Sequence, residues 1–459
     1  MQIDSSIFKA YDIRGVVDST LTTDATYAIG QALAELAHEK GVNTLCVGRD
    51  GRLSGPKLSE ALMKGIASMG INVIDIGMVP TPVLYFATFY TGTGSGVAVT
   101  GSHNPPEYNG LKMMMAKDTL FGEGIQNLRD RILRGINPTG GEGTITRQDV
   151  VTPYLNKILS DVKLARPVKV AIDCGNGVTG PLAMKLFSQL GCEIIPLFTD
   201  IDGHFPHHHP DPSKPANLSH LIEVVKNSDA EVGIAFDGDG DRLGVVTKSG
   251  EIIFPDRQMM LFAADILKHN PGAPIIYDVK CTRRLVPWVK EHGGVPTICC
   301  TGHSLVKAKL KETQAPFAGE MSGHLFFNDQ RWPGFDDGLY AGARMLEILS
   351  RSDNPSALLE SLPSAVNTPE LHIEMAEGEN KRFVARLQKE LHFDDATDII
   401  TIDGIRVEWS DGFALARSSN TTPVVVLRLE GDSQQALERI KQRFAQAIRA
   451  VDPNVQLPF

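Results

Sequence analysis

The residues from Phe236 to Arg242 read FDGDGDR, so that Asp237, Asp239 and Asp241 alternate with glycines after an apolar run. Three anions on one short loop repel each other unless a cation sits among them, and hard oxygen ligands at this density suit Mg²⁺ or Ca²⁺. A calcium EF-hand wants glycine at loop position six and glutamate at twelve, where this chain has Arg242 and Lys248; that motif is excluded. An Asp/Gly hairpin turn is the plain alternative, but strict alternation of three aspartates is costly for a turn alone. Mg²⁺ takes a few carboxylates and leaves a position for a phosphate oxygen, which points to a phosphorylated ligand.

A second stretch, VAVTGSHNPPEYNGLK from Val97 to Lys112, ends a buried strand and then breaks into Gly, Asn and Pro. Ser102 at this junction is either a turn former bonding nearby backbone or a nucleophile held on a stiff loop. GEMSGH places Glu320, Ser322 and His324 at alternate positions, a pattern that suits sugar hydroxyls or a plain loop. RSSNTTP (Arg417 to Pro423) offers a guanidinium, hydroxyls and an amide before a strand, either a phosphate cradle or a capped turn. KAYDIRG, DVKCTRR and TGHS add Lys9, Arg14, Lys280, Arg283, Arg284 and His303, each read separately as solvated surface charge.

Other motifs point elsewhere or nowhere. Gly175, Gly177 and Gly180 have G-x-G-x-x-G spacing after a strand, with Glu193 or Asp200 at the distance of an acidic partner. This is a dinucleotide fingerprint or a tight packing turn; a nicotinamide-dependent dehydrogenase built on it would leave Ser102 and the aspartate loop unexplained. His207 to His209 sit among Pro206, Pro210 and Pro212 and read as an exposed rigid loop. There is no P-loop motif and no G-x-S-x-G elbow.

The elements that must position these residues follow a repeated grammar. Ala25, Ile29, Ala32, Leu33, Leu36 and Ala37 keep helical spacing between Thr22 or Thr23 and Gly41. TLCVGRD and NVIDIG read as strands, with a helix through Leu58, Leu62, Ile66 and Met69 between them. The alternation predicts an α/β domain with a largely parallel sheet. It restarts at VKVAIDCGNG and again at PIIYDVK, whereas beyond residue 364 ELHIEM, DIITIDGIRVEW and TPVVVLRLE predict an α+β domain with a final amphipathic helix from Ala436 to Val451. The predicted domains are 1–148, 149–251, 252–363 and 364–459.

A chain of 459 residues fits roughly three or four domains at about 150 residues each. The net charge of −10 argues against general nucleic-acid binding. The six cysteines form no Cys-x-x-Cys pair, which predicts reduced thiols and a cytoplasmic protein. No apolar run is long enough for a membrane span, and no signal-peptide core opens the chain.

Taken together, TGSHNPPEYNG, DGDGDR, GEMSGH and RSSNTTP, in this order and spacing, resemble the α-D-phosphohexomutase family, within it the bacterial phosphomannomutase/phosphoglucomutase type. The resemblance implies three related α/β domains and a C-terminal α+β domain of TATA-binding-protein-like shape around a central cleft. It implies phosphoserine at Ser102 and Mg²⁺ held by Asp237, Asp239, Asp241 and an oxygen on Ser102. Lys112, Arg14, His103, Arg242 and His324 would stand near the transferred group, one of Lys112, Arg14, His103 and His324 shuttling the proton. Tyr11, Lys280, Gly302, His303, Glu320, Ser322, His324, Arg417, Ser419, Asn420 and Thr421 would bind substrate. The implied ligands are hexose phosphates, with glucose or mannose 1,6-bisphosphate as activator, and the implied state is a monomer. A Ser102-dependent phosphatase and a non-catalytic sugar-phosphate sensor are the other readings weighed.

Overall fold

The computed structural model describes residues 3–137, 141–420 and 422–459. It divides into two compact units, Met1–Gln258 with Ser322–Ser361, and Met259–Met321 with Leu362–Phe459. Among the described residues no helix is long and apolar enough to cross a membrane.

The first unit begins with a helix over Thr23–Glu39, capped where Thr22 accepts from the Ala25 N–H, and stopped as the chain turns through Gly41 at φ +68°. Its apolar stripe, Ile29, Ala32, Leu33 and Leu36, is buried with Leu58, Leu62 and Ile66 of the helix Gly55–Ala67. Beneath them lies a sheet in which Thr44–Arg49 runs parallel to Asn72–Met78 on one side and to Gly96–Val99 on the other. Gly96–Val99 then pairs antiparallel with Tyr108–Met115, which pairs antiparallel with Ile13–Val16. The sheet is therefore mixed rather than parallel throughout, because the Ser102 loop reverses the chain within one sheet. The three consecutive methionines Met113, Met114 and Met115 are all buried at the end of this reversing strand.

A second sheet in the same unit sets Lys169–Asp173 parallel to Glu193–Leu197 and to Val232–Phe236. Val232–Phe236 folds back antiparallel on Leu243–Thr247. All residues of both hairpin strands are buried, so the FDGDGDR loop hangs from a rigid, apolar base. The helix Gly338–Leu349 is buried along its whole length, and Gly338 N–H, at its start, bonds the Gly240 carbonyl (3.0 Å). Asp337 caps this helix by accepting from the Tyr340 N–H (2.9 Å).

The second unit contains a parallel arrangement of Val295–Cys299, Pro274–Asp278 and Phe317–Gly319. Its antiparallel sheet orders Asp398–Ile400, Ile405–Trp409, Gly412–Ser418 and Val424–Gly431, with Leu371–Glu374 also on Val424–Gly431. The final helix, Gln434–Val451, buries Leu437, Ile440, Phe444 and Ile448 against this sheet. Gly412–Ser418, at the centre of the sheet, was not among the predicted strands.

Candidate active site

The strand Gly96–Val99 delivers Thr100 and Ser102 onto the aspartate loop. Ser102 is 2% exposed and adopts the left-handed conformation, φ +50°, with its N–H donating to Thr100 Oγ1 (2.8 Å). Its Oγ lies 3.3 Å from Asp237 Oδ2 and 3.2 Å from His103 Nδ1. The two loops touch through backbone as well, since a Cβ on Gly238 would stand 2.4 Å from the Ser102 carbonyl oxygen.

Asp237, Asp239 and Asp241 are fully buried. Asp237 Oδ1 accepts from the N–H groups of Gly240, Asp241 and Arg242 (3.1, 3.1 and 3.2 Å), which shapes the loop and turns Oδ2 toward Ser102. Asp239 Oδ2 accepts from Thr81 Oγ1 (2.6 Å), Thr100 Oγ1 (3.1 Å) and Lys112 Nζ (2.8 Å). Lys112 Nζ also donates to Asp241 Oδ2 at 2.5 Å. Burial and the negative charge of Asp241 and Asp239 push the Asp237 carboxyl well above the ordinary range. Burial presses the Lys112 pKa down, but Asp239 and Asp241 override it and hold the ammonium protonated.

These residues fit a divalent ion. Among the described residues Asp239 Oδ1 and Asp241 Oδ1 are buried without a hydrogen-bond partner, a costly arrangement unless something charged meets them. One oxygen from each of the three aspartates can be chosen so that all lie within 4.8 Å of one another, and an all-oxygen set is the chemistry of Mg²⁺.

Cations surround the pocket. Arg242 Nε donates to His324 Nε2 (3.2 Å) and stands 3.8 Å from Asp237 Oδ2, while its Nη1 is 3.8 Å from Asp211. His324 Nδ1 is 3.0 Å from Asp336 Oδ2. His103 is half-buried, and burial together with Arg242, Arg14 and Lys112 holds its pKa well below the ordinary value. Arg14 pairs with Asp12 and meets the side-chain amide of Asn104, two residues beyond Ser102. Tyr11 is half-buried in the bend before Ile13–Val16.

The second unit holds a separate polar cluster. Asp403 Oδ2 accepts from Arg417 Nε (3.0 Å) and from the Thr301 N–H (2.9 Å). Glu320 Oε1 accepts from the Gly302 N–H at 2.5 Å, and Lys280 Nζ pairs with Glu370 at 3.0 Å. Burial lowers the Lys280 pKa, but Glu370 and Asp278 more than reverse this, and the pull of Lys280 outweighs burial to hold Glu370 below the usual carboxylate range. His303 is buried at the start of the helix His303–Thr313. Ser419 accepts from Thr422, and Asn420 beside it is half-buried; Thr421 lies outside the described residues. Ser322 and His324 belong to the first unit and Glu320 to the second, so the alternate positions of GEMSGH have different surroundings.

Several residues of the site were not singled out in the sequence: Asp50, Arg52, Thr81, Thr100, Asp211 and Asp336. Each is an ordinary polar residue in sequence, made part of the site only by tertiary approach. The glycine-rich turn serves packing: a Cβ on Gly177 would meet Gly238, and one on Gly175 would meet His208 and Pro210 at 3.2 and 3.1 Å. The histidine triplet is a correction. His207 is exposed, but His208 is half-buried and bonded to Asp173. All six cysteines are free.

A mixed α/β chain whose serine loop and carboxylate loop share one buried pocket has the architecture of a phosphohexomutase. Models of the phosphoglucomutase/phosphomannomutase family match along it: alpha/beta/alpha domain I over residues 5–135, domain II over 152–250, domain III over 254–366 and the C-terminal domain over 370–447. The chain belongs to this family, and it is an enzyme of the mutase type. It is 56% identical over 458 residues to a phosphoglucomutase of Neisseria meningitidis, covering 99% of each chain. It is 50% identical over 458 residues to a phosphomannomutase/phosphoglucomutase of Pseudomonas aeruginosa, covering 100% of this chain and 98% of that one. A crystal structure of a family protein from Burkholderia thailandensis superposes with a TM-score of 0.95 at 55% identity, over 100% of both chains.

Proposed function

We propose that this mutase moves a phosphoryl group between C1 and C6 of glucose and mannose phosphates, through phosphoserine at Ser102 and a hexose 1,6-bisphosphate that turns end for end between two transfers. The observation that carries the reading is Ser102 Oγ at 3.3 Å from Asp237 Oδ2, in the pocket that also buries Asp239, Asp241 and Lys112. Phosphoryl transfer depends on alignment and charge neutralisation more than on new covalent chemistry, and this pocket is built of little else.

Asp237, Asp239 and Asp241 would hold Mg²⁺ with a phosphoserine oxygen; the ion supplies Lewis-acid neutralisation of the phosphoryl oxygens. Lys112 and Arg242 add fixed positive charge beside it. In the first transfer the sugar hydroxyl attacks phosphorus and the bond from phosphorus to Ser102 Oγ breaks, so the hydroxyl's proton must finally reach Ser102 Oγ. His103 Nδ1, 3.2 Å from that oxygen, would relay the proton at the serine end. In the second transfer Ser102 Oγ takes the other phosphate back.

Arg417, Ser419, Asn420, Lys280, Gly302 and His303 would grip the phosphate that is not being transferred, and Glu320 and Ser322 the sugar's O3 and O4. Glucose and mannose share those hydroxyls and differ at C2, which supports turnover of both; strongly unequal specificity constants would count against it. A coupled assay converting glucose 1-phosphate to glucose 6-phosphate, with Mg²⁺ and a trace of bisphosphate, tests the core of the reading. Ser102→Ala should lose activity by at least about a thousandfold. Undiminished turnover in that variant overturns the phosphoserine route.

A further inference from the structure

Arg52 is 2% exposed, and its guanidinium is spent on one loop. Nη2 donates to the carbonyl oxygens of Ser102 (2.9 Å) and Asn104 (2.6 Å), and Nη1 to those of Pro105 (2.6 Å) and Tyr108 (2.9 Å). Nε lies 3.3 Å from Asp50 Oδ2, the oxygen that also accepts from Thr100 Oγ1 (2.8 Å) and the Gly101 N–H (3.1 Å). The ring of Phe205 lies 5.2 Å from the guanidinium carbon.

The loop these bonds hold contains Gly, Ser, His, Asn and two prolines, and much of it makes no ladder of its own. Its inward carbonyls need donors. Ser102 also sits at φ +50°, a conformation that a non-glycine residue keeps only where its surroundings over-determine it. Arg52 grips the chain at Ser102 itself and at three further carbonyls downstream, while Asp50 grips it upstream at Thr100 and Gly101. Lysine has no planar fork and could not reach four carbonyls at once.

We propose that Arg52 is the positioning residue of the nucleophile: it fixes the serine loop by its backbone so that Ser102 Oγ faces the carboxylate loop, and it touches no reacting atom. This rests on Ser102 being the phosphoryl carrier.

Two variants test it. Arg52→Lys keeps the charge and removes the fork. Gly101→Ala keeps Arg52 and displaces it, because the new Cβ would stand 2.3 Å from Arg52 Nε and 2.4 Å from its Cζ. The readouts are the rate at which dephosphorylated protein takes phosphate from glucose 1,6-bisphosphate, followed by intact mass, with kcat, KM and Mg²⁺ affinity by calorimetry. Both variants should phosphorylate Ser102 and turn over about a hundredfold more slowly, with KM and Mg²⁺ affinity within about threefold of wild type. Folded variants that phosphorylate at the wild-type rate overturn the proposal, as does a loss of Mg²⁺ affinity in step with kcat, which marks general collapse of the site. If Arg52→Lys does not fold, Gly101→Ala decides. Wild-type protein that takes no phosphate at Ser102 refutes the phosphoserine reading itself and removes the basis for this one.

Discussion

Gly238 lies directly beneath the carbonyl of Ser102, so close that a Cβ there would stand 2.4 Å from the oxygen. The serine loop and the carboxylate loop therefore meet through backbone, and their spacing is set by the absence of a side chain. Gly238→Ala must push them apart. An error of about 1 Å in such an alignment costs on the order of a hundredfold, so we expect kcat to fall by about that factor while the far-ultraviolet spectrum is unchanged. A coupled assay that finds kcat within twofold of wild type would show that the contact does not set the alignment.

Asp237 is in conflict between folding and function. Its carboxyl is pushed up by burial and by Asp241 and Asp239, yet its Oδ1 is needed by three N–H groups. Asparagine keeps that acceptor and removes the repulsion. In EDTA, Asp237→Asn should melt about 1–2 °C above wild type, the shift expected for roughly 1 kcal/mol in a unit of this size. Mg²⁺ should then raise the melting temperature of wild type and leave the variant nearly unmoved, with activity down by at least about a hundredfold. A variant that melts lower than wild type in EDTA contradicts the argument.

Asp403 ties together two parts of the second unit's polar cluster through one oxygen, taking the Thr301 N–H and Arg417 Nε. If this cluster holds the remote phosphate, releasing Arg417 weakens binding more than chemistry. Asp403→Asn should raise KM for glucose 1-phosphate about tenfold and change kcat by less than about threefold. Steady-state kinetics decide; a fall in kcat at constant KM places the residue's effect elsewhere.

What could be read from the sequence follows from how local each signal is. The aspartate loop was legible because three like charges in seven residues make no sense without a cation. The first helix was legible through a cap at Thr22 or Thr23 and a stop at Gly41, and the structure uses Thr22. By contrast, Gly412–Ser418 is a central strand whose residues are almost all buried, so it lacks the alternation that marks a half-exposed strand, and its two alanines read equally well as helix. Arg52 and Asp50 belong to no motif in the sequence; only the folded sheet brings them under a loop about fifty residues away. Asp336 and its contact with His324 are invisible for the same reason. The reversal at Ser102, which turns a parallel sheet into a mixed one, needed the pairing of Tyr108–Met115 on Gly96–Val99, and no spacing rule supplies that.

His208 offers a pH-dependent test of what supports the carboxylate loop. Its Nδ1 faces the His209 carbonyl (2.9 Å) and its Nε2 lies 3.0 Å from Asp173 Oδ2. Both ring nitrogens thus meet acceptors, an arrangement that needs a proton on each. Burial lowers the pKa, but the hydrogen bond and charge of Asp173 outweigh it, so the net shift is upward. A group whose pKa is raised on folding lends stability that is complete below its unfolded value, about 6.5, and is lost as pH climbs through the higher folded value. The segment matters because the next residue but one, Pro210, accepts the Gly238 N–H (3.1 Å). Wild type should therefore melt above His208→Asn by a margin worth less than about 1 kcal/mol at pH 6, since the pair is partly solvated. That margin should shrink as the pH is raised to 8.5. A margin that stays constant over this range, or grows, means the imidazole is neutral and Asp173 is satisfied without it.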